Sequence, residues 1–461
     1  MRFIYFVFLL SCCCTLNAQS YLTKKTATGK ALKWYTSAKA DAYHKEYEAA
    51  TKTLNKLLTS FPDFIDAQLL LAQIQFDQQQ YAEAAANFER TLAIDPNYNA
   101  RIYYMLGVNE WKRDEFERSA QFLGQYIERK PRNVERLKRA KRMLANAEFA
   151  AKAIKNPVPY MPKPLASTIN TTRPEYAAAF TADEQMLIFT RRILEQNGPR
   201  TYVHEDFYIS QKDANGNWQT AQAWQSINTP QNEGGHSISA DGKLLVFTAC
   251  DYKSSVGGCD IYFVEQTASG QWTRPQSVGE NINTRAAEAL PTLSADGKTM
   301  IFASNRNGTF GQKDLWISYR QDDGKWKTPE NLGDKVNTPF KEDAPFLHPD
   351  GKTLYFMSNG HPGMGGSDLY FSKLQADGTW DTPINLGYPI NTKGDEGALS
   401  LSFDGEIAYF ARDKQQAAEG NVRERDIDIF TFEMPTNARP EAITYVQANV
   451  RDASTKQLLS A

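Results

Sequence analysis

The sequence predicts a multidomain chain: an all-α array of helix pairs, then an all-β propeller, then the opening of a β-sandwich. Three observations predict it. Asp-Gly pairs recur at Asp241-Gly242, Asp296-Gly297, Asp350-Gly351 and Asp404-Gly405, in steps of 55, 54 and 54 residues. Trp218, Trp272, Trp326 and Trp380 keep a step of 54. Ahead of them, Pro62, Pro96 and Pro131 punctuate a stretch nearly free of Gly and Pro at steps of 34 and 35. A fixed period of either size means stacked supersecondary units, and the segregation of helix-like from strand-like stretches points to separate domains.

We place the boundaries at 1–19 for a signal peptide, 20–156 for the helical array, 157–437 for the propeller and 438–461 for the start of a sandwich. Met1-Arg2 and the apolar run Phe3–Leu10 read as a leader, with Leu16-Asn17-Ala18 as a small-residue cleavage site. Leu9-Leu10-Ser11-Cys12 offers the alternative of a lipidated Cys12. Either implies export. Cys12, Cys13 and Cys14 lie in that leader, which leaves Cys250 and Cys259 as a natural disulfide pair in an oxidising compartment, the alternative being two buried thiols. Aligned on the repeat they replace Asn305 and Lys313, at facing ends of a hairpin. The net charge of −2 gives no basic excess for nucleic acid.

In the helical stretch, Leu70, Leu71, Ala72 and Phe76 are followed by Tyr81, Ala84, Ala85, Phe88 and Leu92. The next unit repeats the pattern with Leu106-Gly107, Trp111, Phe116, Ala120, Phe122 and Tyr126. Small residues let paired helices approach while aromatics fill between them, and 133–155 reads as a capping helix. This stretch resembles the tetratricopeptide repeat family, which implies a groove for a partner's peptide or helix. Tyr104, Asn109, Lys112 and Arg113 are the candidate groove residues. A rigid spacer is the plainer reading.

Each 54-residue unit holds four strand candidates, in the third unit Ala289–Leu293, Thr299–Ala303, Asp314–Tyr319 and Trp326–Leu332. Asp-Gly joins the first two. Asn215-Gly216, Ser269-Gly270, Asp323-Gly324 and Asp377-Gly378 join the last two. Four antiparallel strands make a propeller blade. The first turn copy, Thr181-Ala182-Asp183-Glu184, is degenerate. Ile-Asn-Thr marks 169–171, 227–229, 282–284 and 390–392, with Val336-Asn337-Thr338 in the same series. The fifth unit lacks a fourth strand after Phe430-Thr431-Phe432, while a matching orphan, Pro162–Ala166, precedes the first. The N-terminal strand is therefore expected to close the last of five blades, six being the alternative. Glu175, Glu233, Glu288, Glu342 and Glu396 recur near each first strand. They either ring one mouth of the channel or bond the neighbouring Ile-Asn-Thr loop. Asp260, Asp314, Asp368 and Asp428 recur likewise. Repetition favours architecture, because catalysis needs residues that break symmetry.

Leu293–Arg306 and Asp314–Ser318 resemble the WD40-like repeat of the TolB propeller, and Gly365-Gly366-Ser367-Asp368 the version found in Gram-negative envelope proteins. Ile443–Ala453 with Leu458-Leu459 resembles the start of a carboxypeptidase regulatory-like domain. The whole order resembles PorE-type envelope proteins of the OmpA family, associated with the type IX secretion system. That resemblance implies a non-catalytic periplasmic scaffold at the outer membrane, peripheral or lipid-anchored, meeting envelope or secretion proteins through the helical groove. It also implies peptidoglycan binding through a domain not in this chain. No cofactor or metal is expected. The alternative is a glycan-binding or glycan-hydrolysing propeller, which needs an unsymmetrical acid pair. The five His (44, 204, 236, 348, 361) are scattered, and His348 replaces the Ser of the turn phrase, as a turn residue rather than a base.

Overall fold

The computed structural model describes residues 21–197, 200–413 and 427–444 together with Thr455. The expected leader with its three cysteines, and most of the segment 438–461 expected to open a sandwich, lie outside the described residues. The chain divides into two compact units, with the boundary between Glu148 and Phe149.

In the first unit the helices pair as the 34-residue period demands: α1 (Gly29–Tyr43) with α2 (Tyr47–Ser60), α3 (Ile65–Asp77) with α4 (Tyr81–Ile94), and α5 (Arg101–Lys112) with α6 (Phe116–Glu128), followed by α7 (Val134–Ala153). Each first helix stops at a residue of positive φ, Lys45, Gln79 or Asp114, near +62°. This left-handed step ends the helical ladder and turns the chain back. Leu54, Phe64, Phe88, Leu106 and Leu123 are fully buried between the helices. At α5–α6 the approach is closest: a Cβ on Gly107 would stand 2.6 Å from Leu123 Cγ, so glycine is required there.

In the second unit five four-stranded antiparallel sheets form the blades. After β1 (Lys163–Pro164), blade 1 is β2 (Glu175–Phe180), β3 (Met186–Asn197), β4 (Arg200–Gln211) and β5 (Gln222–Ala223). Blade 2 is β6 (Asn232–Ile238), β7 (Leu244–Cys250), β8 (Cys259–Glu265) and β9 (Gln276–Ser277). Blade 3 is β10 (Glu288–Leu293), β11 (Thr299–Ser304), β12 (Asp314–Tyr319) and β13 (Glu330–Asn331). Blade 4 is β14 (Glu342–Leu347), β15 (Thr353–Ser358), β16 (Asp368–Lys373) and β17 (Ile384–Asn385). Blade 5 is β18 (Leu399–Leu401), β19 (Ile407–Asp413) and β20 (Ile427–Glu433), completed by β1. The innermost strands touch in the cyclic order β2, β6, β10, β14, β18 and back to β2, which closes the ring.

The fourth strands are shorter than the sequence pattern suggests. Trp326 makes only an isolated bridge to Arg320, and pairing resumes at Glu330 and Asn331. The tryptophan instead fills the space between blades, 4% exposed against Val278, Met300 and Trp316. β1 pairs Lys163 with Thr431 and Pro164 with Phe430. Proline is tolerated there because the strand lies at a sheet edge.

Candidate functional site

The recurring polar residues form a latch at every blade junction. The asparagine of each Ile-Asn-Thr loop grips both backbone groups of one residue in the third strand. Asn337 Oδ1 accepts from Leu315 N–H at 2.8 Å and its Nδ2 donates to Leu315 C=O at 2.9 Å. Asn228, Asn283 and Asn391 treat Phe207, Ile261 and Leu369 in the same way. The threonine then engages the glutamate that opens the next blade. Thr338 N–H and Oγ1–H donate to Glu342 at 2.8 and 2.7 Å, and Ser358 Oγ–H adds 2.6 Å. Thr171, Thr284 and Thr392 donate both groups to Glu175, Glu288 and Glu396, and the Thr229 hydroxyl reaches Glu233.

The five glutamates are thus inside the blade junctions. Glu175, Glu233, Glu288 and Glu342 are completely buried and Glu396 is 8% exposed. None of them lines the axial space, so of the two readings the loop-bonding one describes where they are. The reason is a register break in the inner strands. Ala177, Gly235, Leu290 and Ala344 adopt positive φ (+55°, +50°, +54° and +46°) at the bulges of β2, β6, β10 and β14. The residues from the bulge onward make the wall: Ala177, Ala179, Leu290, Ala344, Phe346 and Ala398. His236, Ser237, Thr292 and Ser400 also reach this part of the axial space, which is mostly apolar and holds about 60 Å³, room for a few waters.

Burial governs the latch electrostatics. It pushes the Glu342 carboxyl up to about 7, against the pull of Ser358 and Thr338, and that of Glu233 also to about 7 against Thr229 and Tyr252. Glu396 is raised by burial and by Asp368 beside it. Glu288 differs in having the Arg306 guanidinium 3.1 Å away, and Glu175 has Arg191 Nε at 2.8 Å. The aspartates cap a second kind of loop. Asp260, Asp314 and Asp368 each accept two loop amides, for Asp368 those of Met364 and Gly365. A Cβ on Gly365 would stand 2.3 Å from Gly394 C=O, which is why that loop carries glycine.

Cys250 and Cys259 are paired in register on β7 and β8 and joined by a disulfide, with Cα atoms 4.1 Å apart. His348 is buried. Its Nδ1 accepts the Asp350 N–H at 3.1 Å, whereas in the matching turns the Ser239 and Ser294 hydroxyls donate to the carboxylates of Asp241 and Asp296 at 2.6 and 2.5 Å. His236 is held neutral by burial, to about 4, and packs on Phe207.

In the helical unit the groove candidates divide. Asn109 is completely buried and its Nδ2 donates to Tyr81 C=O at 2.9 Å, so it leaves the list. The 3.6 period explains this, because 102, 106, 109 and 113 share the packing face of α5. Arg113 pairs at 3.0 Å with Glu110, itself buried and held also by Arg118. Tyr104 is half-buried on Tyr126, and Lys112 is exposed. The open face of the first helices instead carries Lys39 and Tyr43 on α1, Gln73 and Asp77 on α3, and Val108 and Lys112 on α5, at corresponding positions and all exposed or half-buried.

Sequence reasoning missed one irregular element. β3 and β4 have 12 residues each, where the matching strands of blades 2 to 5 have six or seven. The signal was present in the spacing: Asp183 to Asn215 is 32 residues, against 28, 27 and 27 in the next three units.

A family profile of the tetratricopeptide repeat matches residues 75–144. The first unit is a tetratricopeptide array and the second a five-bladed propeller. Superkiller complex protein 3 of Mus musculus is 34% identical over 64 residues, 14% of this chain and 4% of the mouse protein's length. Among solved structures, a TolB-type protein of Agrobacterium tumefaciens aligns at 15% identity and TM-score 0.36, over 57% of this chain and 78% of its own. The catalytic domain of a GH62 α-L-arabinofuranosidase of Coprinopsis cinerea aligns at 10% identity and TM-score 0.41, over 61% and 98%.

Proposed function

We propose that this protein is a non-catalytic scaffold of the Gram-negative periplasm, held at the outer membrane and serving a type IX secretion or related envelope assembly in the manner of PorE-type proteins. The observation that carries the non-catalytic part is the fate of the repeated acids. Every recurrent glutamate and nearly every recurrent aspartate is engaged in a latch between or within blades. Carboxylates spent on threonine and loop amides leave none of this set at the axial wall for acid–base work on a glycan. The tetratricopeptide unit supplies the contact surface. The aligned open positions Lys39, Gln73 and Val108 repeat along three consecutive first helices, a spacing suited to an extended or helical segment of a partner. Export agrees with the Cys250–Cys259 disulfide, which persists in an oxidising compartment. A peptidoglycan-binding OmpA-like domain completes this reading and is part of the proposal.

Photo-crosslinking residues placed at Gln73 and Val108 of the full chain, in a host that carries a type IX system, test it. Cross-links to an envelope or secretion protein are expected from these sites and not from Ala179 in the axial wall. Cross-links from Ala179 alone, or a protein that fractionates with the cytoplasm in reduced form, would overturn it.

A further inference from the structure

The place where the propeller departs from its own symmetry is the extended β3–β4 hairpin of blade 1. In blades 2 to 4 the second and third strands join through a loop of eight or nine residues whose amides cap an aspartate: Val256 and Gly257 on Asp260, Phe310 and Gly311 on Asp314, Met364 and Gly365 on Asp368. Asp206 holds the same position in blade 1, 54 residues before Asp260, but there the strands run on and no such loop exists. Asp206 instead lines a cavity of about 650 Å³ beside the hairpin, with His204 Nε2 at 3.6 Å. Tyr202, Val203 and His204 form one wall, and Gln225, Asn228, Thr229, Pro230 and Asn232 the other. The volume is that of a ligand pocket, roughly 300–1,000 Å³.

The hairpin wall of this cleft is an open sheet edge. Odd-numbered residues of β4 turn their backbone groups away from β3: Phe207 N–H donates to Asn228 Oδ1, Phe207 C=O accepts from Trp224 N–H, and Glu205 N–H donates to Asn232 Oδ1. By the same alternation the N–H and C=O of Val203 face the cleft, and no described residue bonds them. Tyr202 and Val203 are also 50% and 53% exposed. An unpaired edge carrying exposed apolar side chains is what natural sheets avoid unless something covers it.

We propose that this cleft binds an extended peptide segment of a partner, which adds a strand to the β4 edge at Val203 and sets a lysine or arginine side chain against Asp206. Charge selects the cation. Asp206 is the acidic group of the cavity wall, its other polar residues apart from His204 are neutral, and the buried Glu233 lies close enough for Asp206 to raise its carboxyl further. Shape selects a single strand over a second copy of the propeller, because the edge faces a cleft closed on its far side by residues 225–232. Main-chain bonds give affinity in such strand addition and the side-chain pocket gives specificity.

Random linear twelve-residue peptides displayed on phage and panned on the full chain test the proposal. The expected winners alternate β-branched residues with a lysine or arginine. Synthesised, they should bind at least tenfold more weakly to Asp206→Asn, or when the peptide's central amides are N-methylated. They should also slow hydrogen exchange of the Val203 amide. N-methylation leaves the protein untouched, so it decides the case even if a hairpin variant misfolds. Absence of enrichment, or winners that carry no cation and keep their affinity for Asp206→Asn, would overturn the proposal. So would Val203 protection that rises with protein concentration without peptide, which would assign the edge to a second copy.

Discussion

The junction between blades 5 and 1 and the junction between blades 3 and 4 use the same latch, but the chain reaches it by different routes. At an ordinary junction Asn337 grips Leu315, 22 residues back. At the seam Asn170 grips Ile429, 259 residues ahead, with Oδ1 accepting at 3.0 Å and Nδ2 donating at 2.9 Å. The seam has more besides. Leu165 N–H donates to Ile429 C=O at 3.0 Å, and Tyr160 packs edge-on to Phe432 at 5.2 Å. The local chemistry is matched, so the difference is connectivity. An ordinary latch forms within a short loop, whereas the seam forms only when the ring closes, and loop-closure entropy must be met in full before its bonds contribute. The seam should therefore govern cooperativity while the other junctions govern local stiffness.

The most severe way to test this is to remove the closing strand. A chain starting at Asn170 loses β1 and the fully buried Ile169, and exposes the edge of β20 between Ile427 and Glu433. We expect it to aggregate, or to melt well below a chain starting at Asn156. Equal melting temperatures would mean that the blade closes without its N-terminal strand.

A finer test compares the two asparagines. Asn170→Ala and Asn337→Ala each orphan one buried N–H and one buried C=O, at about 1–3 kcal/mol per group. Equilibrium unfolding should show similar losses. In kinetics they should part: Asn337→Ala slows folding if its local latch forms early, whereas Asn170→Ala acts on unfolding, because the seam closes last. The same split for both, measured by chevron analysis, would erase the distinction between seam and junction.

These elements were legible in the sequence to very different degrees. The period exposed the blades, and the missing fourth strand beside the orphan Pro162–Ala166 exposed the closure, because both are patterns of count and spacing. Asn109 was misread since a polar side chain on a helix announces nothing about its face until the periodicity of 102, 106 and 109 is followed. The glutamates left two readings open because their aim depends on bulges at Ala177, Leu290 and Ala344, non-glycine residues with no sequence mark of positive φ. The blade 1 hairpin was recorded only as a few residues of excess spacing, easily taken for a longer loop.

A third test concerns what holds each carboxylate at its junction. Glu288 faces Arg306, but the position matching Arg306 in blade 4 is Gly360, so Glu342 has hydroxyls and an amide in its place. Burial raises the Glu342 carboxyl to about 7, above the unfolded value of about 4.3. The folded state therefore holds a proton that the unfolded state has released, so this contribution to stability is full below about pH 4.3 and is lost as pH rises through 7. The loss is up to about 4 kcal/mol. Glu342→Gln should flatten the fall in stability between pH 5 and 8 and cost little at pH 8. Glu288→Gln should destabilise by about 3 kcal/mol at either pH, because it strands a buried arginine. Identical pH profiles for wild type and Glu342→Gln would show that the carboxyl is ionised throughout.

The smallest effect lies back at the seam, in the degenerate turn of blade 1. Gly242, Gly297, Gly351 and Gly405 take φ between +66° and +73° in the other four copies, whereas Glu184 takes +54° in theirs. A non-glycine residue held there costs about 1 kcal/mol. The return is a bond no glycine could make: Glu184 Oε1 accepts the N–H of Phe403 at 2.6 Å, from blade 1 to blade 5. A charge-assisted bond of that kind contributes about 1.5–3 kcal/mol where buried and less at this partly exposed site. Two variants separate the terms. Glu184→Gly loses the bond and the strain together and should change stability by less than about 1 kcal/mol. Glu184→Ala loses the bond but keeps the strain, and should fall about 1 kcal/mol below Glu184→Gly. If Ala and Gly variants melt together, the backbone of this turn relaxes out of the left-handed region once the seam contact is gone, and the contact itself sets the conformation of the turn.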